Sequence, residues 1–277
     1  MLKKVKLLLI LLPFIIAAGV YLAGSSETNL FASADWILVR AAIAGVVLGA
    51  ARAVLRKRDR ITDGEVTRHD AGSFISHWGT ATGIFILIAS GIMKGFFPGT
   101  SIARQMGDQI FATNLHFIGL AVTLLCGCFW LADYIVKQNY SELIPNLRDI
   151  IYGTLGKYLL RKKWPYDGKY LSSQKSAFLA FAVLGGIVLI TGAIKTGNYV
   201  WHIPENVLNI TTIIHDAGSI LFILLLIVHI LIVFILKEFP ALKSWVTGKV
   251  PLDYAKKEYP LWIEQIKKQK EDEGKDK

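Results

Sequence analysis

The stretch "IIHDAGSILFILLLIVHI", residues 213–230, places two histidines and an aspartate in one of the most apolar runs of the chain. An ionisable side chain at the depth of a lipid bilayer is costly, so such residues normally face a bundle interior and serve a site. His215 and His229 are fourteen positions apart, and on an α-helix they face one side about 21 Å apart along the axis. This separation is too large for one metal ion and suits two stacked cofactors, each near one membrane surface.

The composition indicates an integral membrane protein. Of the 277 residues, 53% are hydrophobic, the mean hydropathy is +0.45 and the formal net charge is +10. A soluble domain rarely combines so apolar a mean with such a basic excess. Stretches of about 20 apolar residues are long enough to cross a bilayer. The chain has six of them, near residues 7–24, 36–54, 77–97, 114–136, 176–196 and 211–236.

The distribution of basic residues predicts how the chain crosses the membrane. Lysine and arginine cluster before the first span, after the second, between the fourth and fifth, and after the last. The positive-inside rule puts these segments and both termini in the cytoplasm, and we expect a multi-pass protein of the bacterial inner membrane. The first stretch also resembles a secretory signal, whose removal would leave five spans. An A-x-A cleavage site is not obvious, so a retained helix is favoured.

These features divide the chain into three parts. Residues 1–60 form an N-terminal extension with two hydrophobic spans, residues 61–240 form a four-helix membrane domain, and residues 241–277 form a cytoplasmic tail. The end of the tail, "EQIKKQKEDEGKDK", mixes charges without apolar periodicity and is expected to be solvated and partly disordered. The predicted fold class is therefore an all-α integral membrane protein.

The intramembrane histidines can be paired by depth. His77 opens the third span on the cytoplasmic side, whereas His116 lies early in the fourth span, which re-enters from outside. The last span also enters from outside, so His215 is shallow on that face and His229 lies toward the cytoplasm. Depth therefore pairs His116 with His215, and His77 with His229. One such histidine could equally hydrogen-bond between helices, but four at regular positions indicate ligands.

Two bis-histidine sites inside a helix bundle favour two molecules of haem b. Zinc would need four tetrahedral ligands or an open water position, and no carboxylate or thiolate set stands at helical spacing from these histidines. Gly119 and Gly218 follow His116 and His215 by three residues, where a missing side chain would let a porphyrin approach. Close packing between membrane helices explains such glycines equally well.

The other polar candidates have plainer interpretations. His202 lies in an outer loop and His69 in the basic approach to the third span, and neither has an obvious partner at its depth. Both are interpreted as loop or interfacial histidines, with a quinone-linked proton role as the alternative for His69. Cys126 and Cys128 lack metal-type spacing and are expected to pack as small apolar groups.

From about Arg68 to its end, the chain resembles the membrane cytochrome b (gamma) subunit of respiratory formate dehydrogenases. The spacings of thirty-nine residues from His77 to His116 and of fourteen from His215 to His229 match the family's pattern. The motifs that carry the resemblance appear in order as "SHWGTATGIFILIASGIMKGFFP", "NLHFIGLAV", "GKYLSSQKSAF", "IIHDAGSILFILLLIVHI" and "WVTGKVPLDYAKKEYPLW".

This resemblance implies a four-helix di-haem cytochrome b bundle, here preceded by two extra N-terminal transmembrane segments. It implies that His77 and His229 bind the cytoplasm-side haem. His116 and His215 would bind the outer haem. The first sixty residues have no counterpart in the short form of the family.

The resemblance also implies a menaquinone pocket beside the cytoplasm-side haem. Its residues would be Ser173, Gln174 and Lys175, close to His229. Two positions depart from the family's pattern: Leu171 stands where the family has asparagine, and Ser173 stands where a small residue, often glycine, precedes the Gln-Lys pair.

The function implied is electron transfer from a periplasmic iron–sulfur (beta) subunit and a molybdenum or tungsten catalytic (alpha) subunit to menaquinone near the cytoplasm. The chain itself would hold no formate chemistry and would act as a redox subunit. One alternative is the haem-containing anchor of a thiosulfate or polysulfide reductase or of a hydrogenase. Another is a proton-linked transporter, which predicts broken helices and inverted repeats. A nucleic-acid role is disfavoured because the basic residues flank spans.

Overall fold

The structure is a computed structural model that describes residues 14, 16–55, 59–96, 99–105, 108–137, 140–157, 160, 166–235 and 238–275. Within these residues helices dominate, and the predicted all-α integral membrane class is confirmed. The elements in chain order are α1 (Ile16–Ser25), α2 (Leu30–Ser33), α3 (Trp36–Leu55), β1 (Ile61–Thr62), β2 (Glu65–Thr67), α4 (Ala71–Gly95), α5 (Gly99–Gln105), α6 (Asp108–Lys137), α7 (Tyr140–Leu143), a π-helix (Asp149–Gly156), α8 (Ser172–Gly197), α9 (Glu205–Ile235), α10 (Phe239–Thr247), β3 (Lys249–Pro251), α11 (Leu252–Glu258) and α12 (Pro260–Lys275).

Five helices in the described part of the chain are long and apolar enough to cross a membrane, namely α3, α4, α6, α8 and α9. They correspond to the second to sixth predicted spans, and a multi-pass membrane protein is confirmed. Of the first predicted span, residues 7–13 and 15 lie outside the described residues, and the described part forms the shorter helix α1. The basic residues at 3, 4, 6, 56–58 and 161–163 also lie outside the described residues.

Four of the spanning helices begin before the apolar stretches that predicted them, and α8 does so by four residues, at Ser172. α4 begins at Ala71, α6 at Asp108 and α9 at Glu205, each six residues before the predicted starts at 77, 114 and 211. Hydropathy identifies only the part of a helix that is apolar enough for lipid. A helix that has formed gains one hydrogen bond per added residue, so it continues into its polar flank.

The chain forms two compact units. The first contains residues 1–56, 71–137 and 188–219, and the second contains residues 57–70, 138–187 and 220–277. Two of the divisions between them, after residues 187 and 219, fall inside α8 and α9. Each unit therefore combines segments that are far apart in sequence.

In the first unit, the extension helix α3 packs directly on α6. Gly45 and Gly49 are buried in α3 and let the two backbones approach. A β-carbon at Gly45 would lie 3.0 Å from the backbone nitrogen of Phe129, and one at Gly49 would meet the Phe129 carbonyl. Small residues four apart are a common device for close packing of membrane helices. The second extra span is thus seated on one of the histidine-bearing helices.

A buried ion cluster joins α3, α4 and α6 at one end of the first unit. The Asp133 carboxylate is fully buried and accepts hydrogen bonds from the Arg52 guanidinium and the Lys137 ammonium. Arg52 Nη2 also donates to Ser73 Oγ at 3.0 Å. A charge removed from water is tolerated when it is paired in this way. The cluster therefore ties the end of α3 to the first turn of α4, one turn before His77.

The second unit contains a small antiparallel sheet in the order β1-β2-β3. Asp63 and Gly64 turn the β1-β2 hairpin with positive φ values of 51° and 72°, as tight hairpins require. β2 then pairs with β3, with Val66 opposite Val250. Sequence periodicity missed these strands because they are only two or three residues long.

The C-terminal helix α12 completes the core of this unit. Trp262, Ile263 and Ile266 are buried together with Val66 and Val250. The expectation of a partly disordered end is therefore wrong for the described residues up to 275, which are helical. A few apolar residues on one face suffice to hold a helix whose Lys, Glu and Gln residues have high helix propensity.

Candidate functional site

His116 is held by a hydroxyl group from the neighbouring helix. Its imidazole on α6 has Nδ1 2.9 Å from Ser90 Oγ on α4. The Ser90 hydroxyl is fully buried and donates within its own helix to the Ile86 carbonyl at 2.7 Å. Because the Ser90 hydroxyl donates its one hydrogen to Ile86, it can only accept from His116. Nδ1 of His116 therefore carries the hydrogen. The Nε2 lone pair is then the one left for a metal.

His215 on α9 is held in the same way by α8. Its Nδ1 lies 3.1 Å from Thr191 Oγ1 and 3.1 Å from the Val188 carbonyl oxygen. A carbonyl can only accept, so Nδ1 donates and Nε2 is again the metal-binding nitrogen. Gly192 makes room for the ring, because a β-carbon there would lie 3.2 Å from His215 Cε1.

The hydroxyl partners share a short sequence pattern that sequence reasoning missed. Ser90 and Thr191 are each followed by glycine and, four residues on, by a lysine in the last turn of the helix, as "SGIMK" in α4 and "TGAIK" in α8. Lysine near a helix C-terminus interacts favourably with the helix dipole. The signal in the sequence was a polar residue within an apolar span, followed by similar residues in both α4 and α8. These two helices carry neither His116 nor His215.

The structure brings His116 and His215 together. Both lie in the first unit, and their imidazoles are near enough to interact electrostatically. Each ring is half-buried and offers Nε2 from a helix face. These are the features that an axial ligand of haem needs: a fixed tautomer, a fixed ring orientation and an unprotonated nitrogen. The residues present at this end therefore fit a haem.

His77 and His229 have aromatic neighbours. His77 meets the edge of Trp78 with ring centroids 5.3 Å apart, and His229 meets the edge of Phe181 at 5.5 Å. Both rings are half-buried. His77 belongs to the first unit and His229 to the second, and their pairing stays a prediction.

The two predicted glycines have different surroundings. A β-carbon on Gly119 would lie 3.0 Å from Leu87 N and 3.1 Å from the Gly83 carbonyl oxygen, so Gly119 faces the α4 backbone. Close packing of α4 on α6, the alternative recognised from sequence, accounts for this glycine. Gly218 is buried in α9. A role in admitting the porphyrin stays a prediction for both.

In the second unit, the predicted quinone residues lie at the start of α8. Gln174 Oε1 accepts hydrogen bonds from Leu171 N at 3.1 Å and from Arg68 Nη2 at 3.2 Å. Lys175 Nζ lies 3.4 Å from Asp149 Oδ2. Ser173 is half-buried in the same turn. Sequence reasoning did not identify Arg68 or Asp149 as partners of these residues.

Arg68 is almost fully buried, at 2% exposure. Its guanidinium lies over the Tyr259 ring at 4.3 Å and the Tyr170 ring at 5.7 Å, and it donates to the Lys169 carbonyl at 3.2 Å. Aromatic faces stabilise a cation that has left water. Arg68 therefore fixes the orientation of the Gln174 amide.

A cavity of about 670 Å³ lies beside these residues in the second unit. Asp149, Tyr152, Tyr166 and Lys175 are among the side chains that line it. A cavity with a few convergent polar groups is a typical small-molecule site.

The other residues considered from the sequence are two histidines and two cysteines. His69 is buried and stacks on Trp245 with ring centroids 3.7 Å apart, whereas His202 is exposed. Cys126 and Cys128 are free thiols. Cys126 is buried, and a β-carbon on Gly79 would lie 2.5 Å from its Sγ. The thiol thus fills space between α6 and α4.

Apolar spanning helices that carry histidines within the bundle are typical of membrane cytochromes of the b type. The model of the prokaryotic cytochrome b561 family matches residues 68–248, and the chain belongs to this family. It is a membrane electron-transfer cytochrome b, and its cofactor is haem b. The transporter alternative is therefore wrong.

Several relatives are named as formate dehydrogenase subunits. The cytochrome b556(Fdn) subunit of the nitrate-inducible formate dehydrogenase of Escherichia coli (strain K12) is 28% identical over 197 residues, covering 69% of this chain and 87% of the relative. The cytochrome b556(fdo) subunit of the same strain is 26% identical over 222 residues, covering 77% and 97%. The cytochrome b556 subunit of formate dehydrogenase from Haemophilus influenzae is 27% identical over 208 residues, covering 72% and 83%.

Proposed function

We propose that this protein is the di-haem cytochrome b subunit of a respiratory formate dehydrogenase. It carries electrons from a periplasmic iron–sulfur subunit, fed by a molybdenum or tungsten catalytic subunit, to menaquinone near the cytoplasmic face. The single observation that carries the proposal is the pair His116 and His215, each with Nδ1 engaged by a neighbouring helix. The names of the related proteins support the choice of donor.

The chain's own residues bind and orient two haems. His116 and His215 would hold the outer haem through Nε2, and His77 and His229 would hold the inner one. Haem b supplies one-electron chemistry when bound. The Ser90 and Thr191 hydroxyls hold the outer imidazoles in one tautomer. The apolar faces of the helices keep water away from both sites.

The quinone is reduced at the start of α8, where Ser173, Gln174 and Lys175 lie. Arg68 and the Leu171 N–H occupy the two lone pairs of Gln174 Oε1, so the amide NH₂ group is what Gln174 can offer to a ligand. The Lys175 ammonium can hydrogen-bond to a quinone oxygen and donate a proton to it. The 670 Å³ cavity beside Lys175 supports this placement.

The chain lies in the bacterial inner membrane with both termini in the cytoplasm. The alternation of basic and non-basic connections supports this orientation. Electrons that arrive from outside, with protons taken from inside, would contribute to a membrane potential.

A reduced-minus-oxidised spectrum of the purified full-length protein tests the haem assignment. We expect b-type bands and two haems per chain by pyridine haemochrome assay. Absence of these bands would overturn the proposal, as would full haem content after His215→Ala combined with His229→Ala.

Co-purification from native membranes, followed by mass spectrometry, tests the donor. We expect an iron–sulfur subunit and a molybdenum or tungsten subunit, and haem reduction on adding formate. Recovery of thiosulfate or polysulfide reductase subunits, or of a hydrogenase, would replace the formate assignment and leave the haem assignment intact.

A further inference from the structure

Ser172, the first residue of α8, lies between two buried carboxylates in the second unit. Its hydroxyl oxygen is 2.7 Å from Asp167 Oδ1 and 3.2 Å from Asp149 Oδ1. The exposed fractions of Ser172, Asp167 and Asp149 are 1%, 2% and 4%. Carboxylates this well buried are uncommon unless they are paired or protonated.

The contacts of Ser172 favour a proton on one of these carboxyl groups. The backbone N–H of Ser172 also donates to Asp167 Oδ1 at 2.7 Å, and the hydroxyl has one hydrogen for two carboxyl groups. A proton on one carboxyl group gives both contacts a hydrogen, because that group can donate to the hydroxyl oxygen while the hydroxyl donates to the other. Asp167 is the natural holder, because burial raises its pKa and the nearby Asp149 charge adds to the effect. The opposing influences on this pKa are hydrogen bonds from Ser172 and the Lys157 charge.

Asp149 connects Ser172 to the proposed quinone residues. Asp149 Oδ2 lies 3.4 Å from Lys175 Nζ, and both residues line the cavity. Asp149 is also the first residue of the π-helix. Such helices occur frequently at functional sites, where they re-aim side chains.

Asp167 connects Ser172 to groups that contact solvent. Asp167 Oδ2 lies 4.0 Å from Lys157 Nζ, which lies 3.6 Å from Glu258 Oε2. The Lys157 and Glu258 side chains are 25% and 17% exposed. Titratable groups therefore follow one another from the partly exposed Lys157–Glu258 pair to Lys175.

We propose that Asp167, Ser172 and Asp149 form the proton relay that supplies quinone reduction. This inference rests on the proposed function, because it assigns the source of the protons for that reaction. A quinone takes up two electrons, delivered one at a time from the cytochrome, and two protons, and it becomes a quinol. The structure places a proton donor, Lys175, and a route that recharges it.

Each proton follows the same steps. Lys175 donates to a quinone oxygen and becomes a neutral amine, which takes a proton from Asp149. The Ser172 hydroxyl then donates its proton to Asp149 and accepts the proton held by Asp167. Asp167 is refilled from water through the Lys157–Glu258 pair. No oxidant or reductant beyond the quinone and the cytochrome is needed.

Quinol-driven haem reduction in membranes that hold the assembled complex tests the relay. Menadiol, a soluble naphthoquinol, should reduce the haem and release its protons through the same groups in reverse. We expect Ser172→Ala to slow this reduction by about a hundredfold, the lower end of the range typical of losing a proton-transfer group. The haem spectrum and haem content should not change. A larger solvent isotope effect in D₂O should accompany the slowing.

Two further variants separate proton transfer from structure. Ser172→Thr restores a hydroxyl and should recover the rate. Ser176→Ala removes a serine one turn further along α8, whose hydroxyl contacts Thr154 Oγ1 at 2.9 Å and the Ser172 carbonyl at 3.0 Å. It should behave like the unmodified protein. If Ser172→Ala does not assemble, Asp167→Asn decides, since it keeps an acceptor for Ser172 and removes the titrating proton.

A Ser172→Ala or Asp167→Asn protein that reduces its haem at the unmodified rate would overturn the relay. Unmodified membranes that contain haem but show no reduction by menadiol would overturn the quinone function itself, and the relay with it. The two failures are therefore distinguishable.

Discussion

The two ends of the membrane helices hold their histidines differently. At the outer end, as the positive-inside rule orients the chain, His116 and His215 have Nδ1 bonded to Ser90 and Thr191. At the cytoplasmic end, the ring contacts of His77 and His229 are aromatic edges. A hydrogen bond at Nδ1 makes an imidazole a stronger ligand, fixes its plane and stabilises the oxidised metal. Under the proposed function, the hydroxyls of Ser90 and Thr191 should therefore lower the midpoint potential of the haem that His116 and His215 would hold.

The change with the largest expected effect removes one proposed haem ligand. His116→Ala should abolish the outer haem and lower the haem content from two per chain to one, because the iron loses an axial ligand. Redox titration with optical detection should show that one of two components is missing. His202→Ala, which changes an exposed loop histidine, is the matched control. Survival of the component whose potential shifts in the Thr191→Val protein would contradict the pairing of His116 with His215.

A second change removes the carboxylate from the buried ion cluster of Arg52, Asp133 and Lys137. Asp133→Ala removes the buried carboxylate that pairs with Arg52 and Lys137, which should cost about 3–5 kcal/mol of stability. Because Arg52 also holds Ser73, one turn before His77, the inner haem should be lost before the outer one on heating in detergent.

The control for this change is Asp253→Ala, which breaks the exposed pair with Lys256. It should change stability by about 0.5 kcal/mol or less. Equal loss of both haems in the Asp133→Ala protein would argue that the cluster serves the whole unit and not one end of it.

A smaller change sharpens the comparison at the outer end. Thr191→Val keeps the shape of the side chain but removes the hydroxyl beside His215, leaving only the Val188 carbonyl as a partner. The outer midpoint potential should rise by about 20–60 mV, since a hydrogen bond contributes about 0.5–1.5 kcal/mol and 59 mV is tenfold for one electron. Thr196→Val, whose hydroxyl bonds only within α8 to the Gly192 carbonyl, serves as control. An unchanged outer potential would contradict the proposed difference between the ends.

The smallest effect concerns pH at the cytoplasmic side. Burial raises the pKa of Asp167 above 3.8, so the folded protein holds a proton that the unfolded chain has released. Stability should therefore fall as the pH rises from 3.8 through the raised pKa. Asp167→Asn should flatten this dependence, measured as the thermal unfolding midpoint in detergent from about pH 4 to 7. Parallel curves for the two proteins would argue against a protonated Asp167.

The spans and the histidines were predictable because each depends on local sequence. Apolar runs of bilayer length identified α3, α4, α6, α8 and α9, and depth along each run placed His116 beside His215. The C-terminal helix was missed because its apolar residues are few and precede a charged stretch. Strands β2 and β3 were missed because each is only three residues long and their pairing joins residues that are far apart in the chain.

By itself, the sequence determined the membrane class and the family and predicted the ligands, because hydropathy, charge and the rarity of intramembrane histidines are properties of the chain. Only the tertiary structure decided which groups complete the site. The partnership of Ser90 with His116, of Arg68 with Gln174 and of Ser172 with two carboxylates depends on how each helix is rotated against its neighbours. That rotation follows from side-chain packing across the unit, which periodicity along a single helix does not encode.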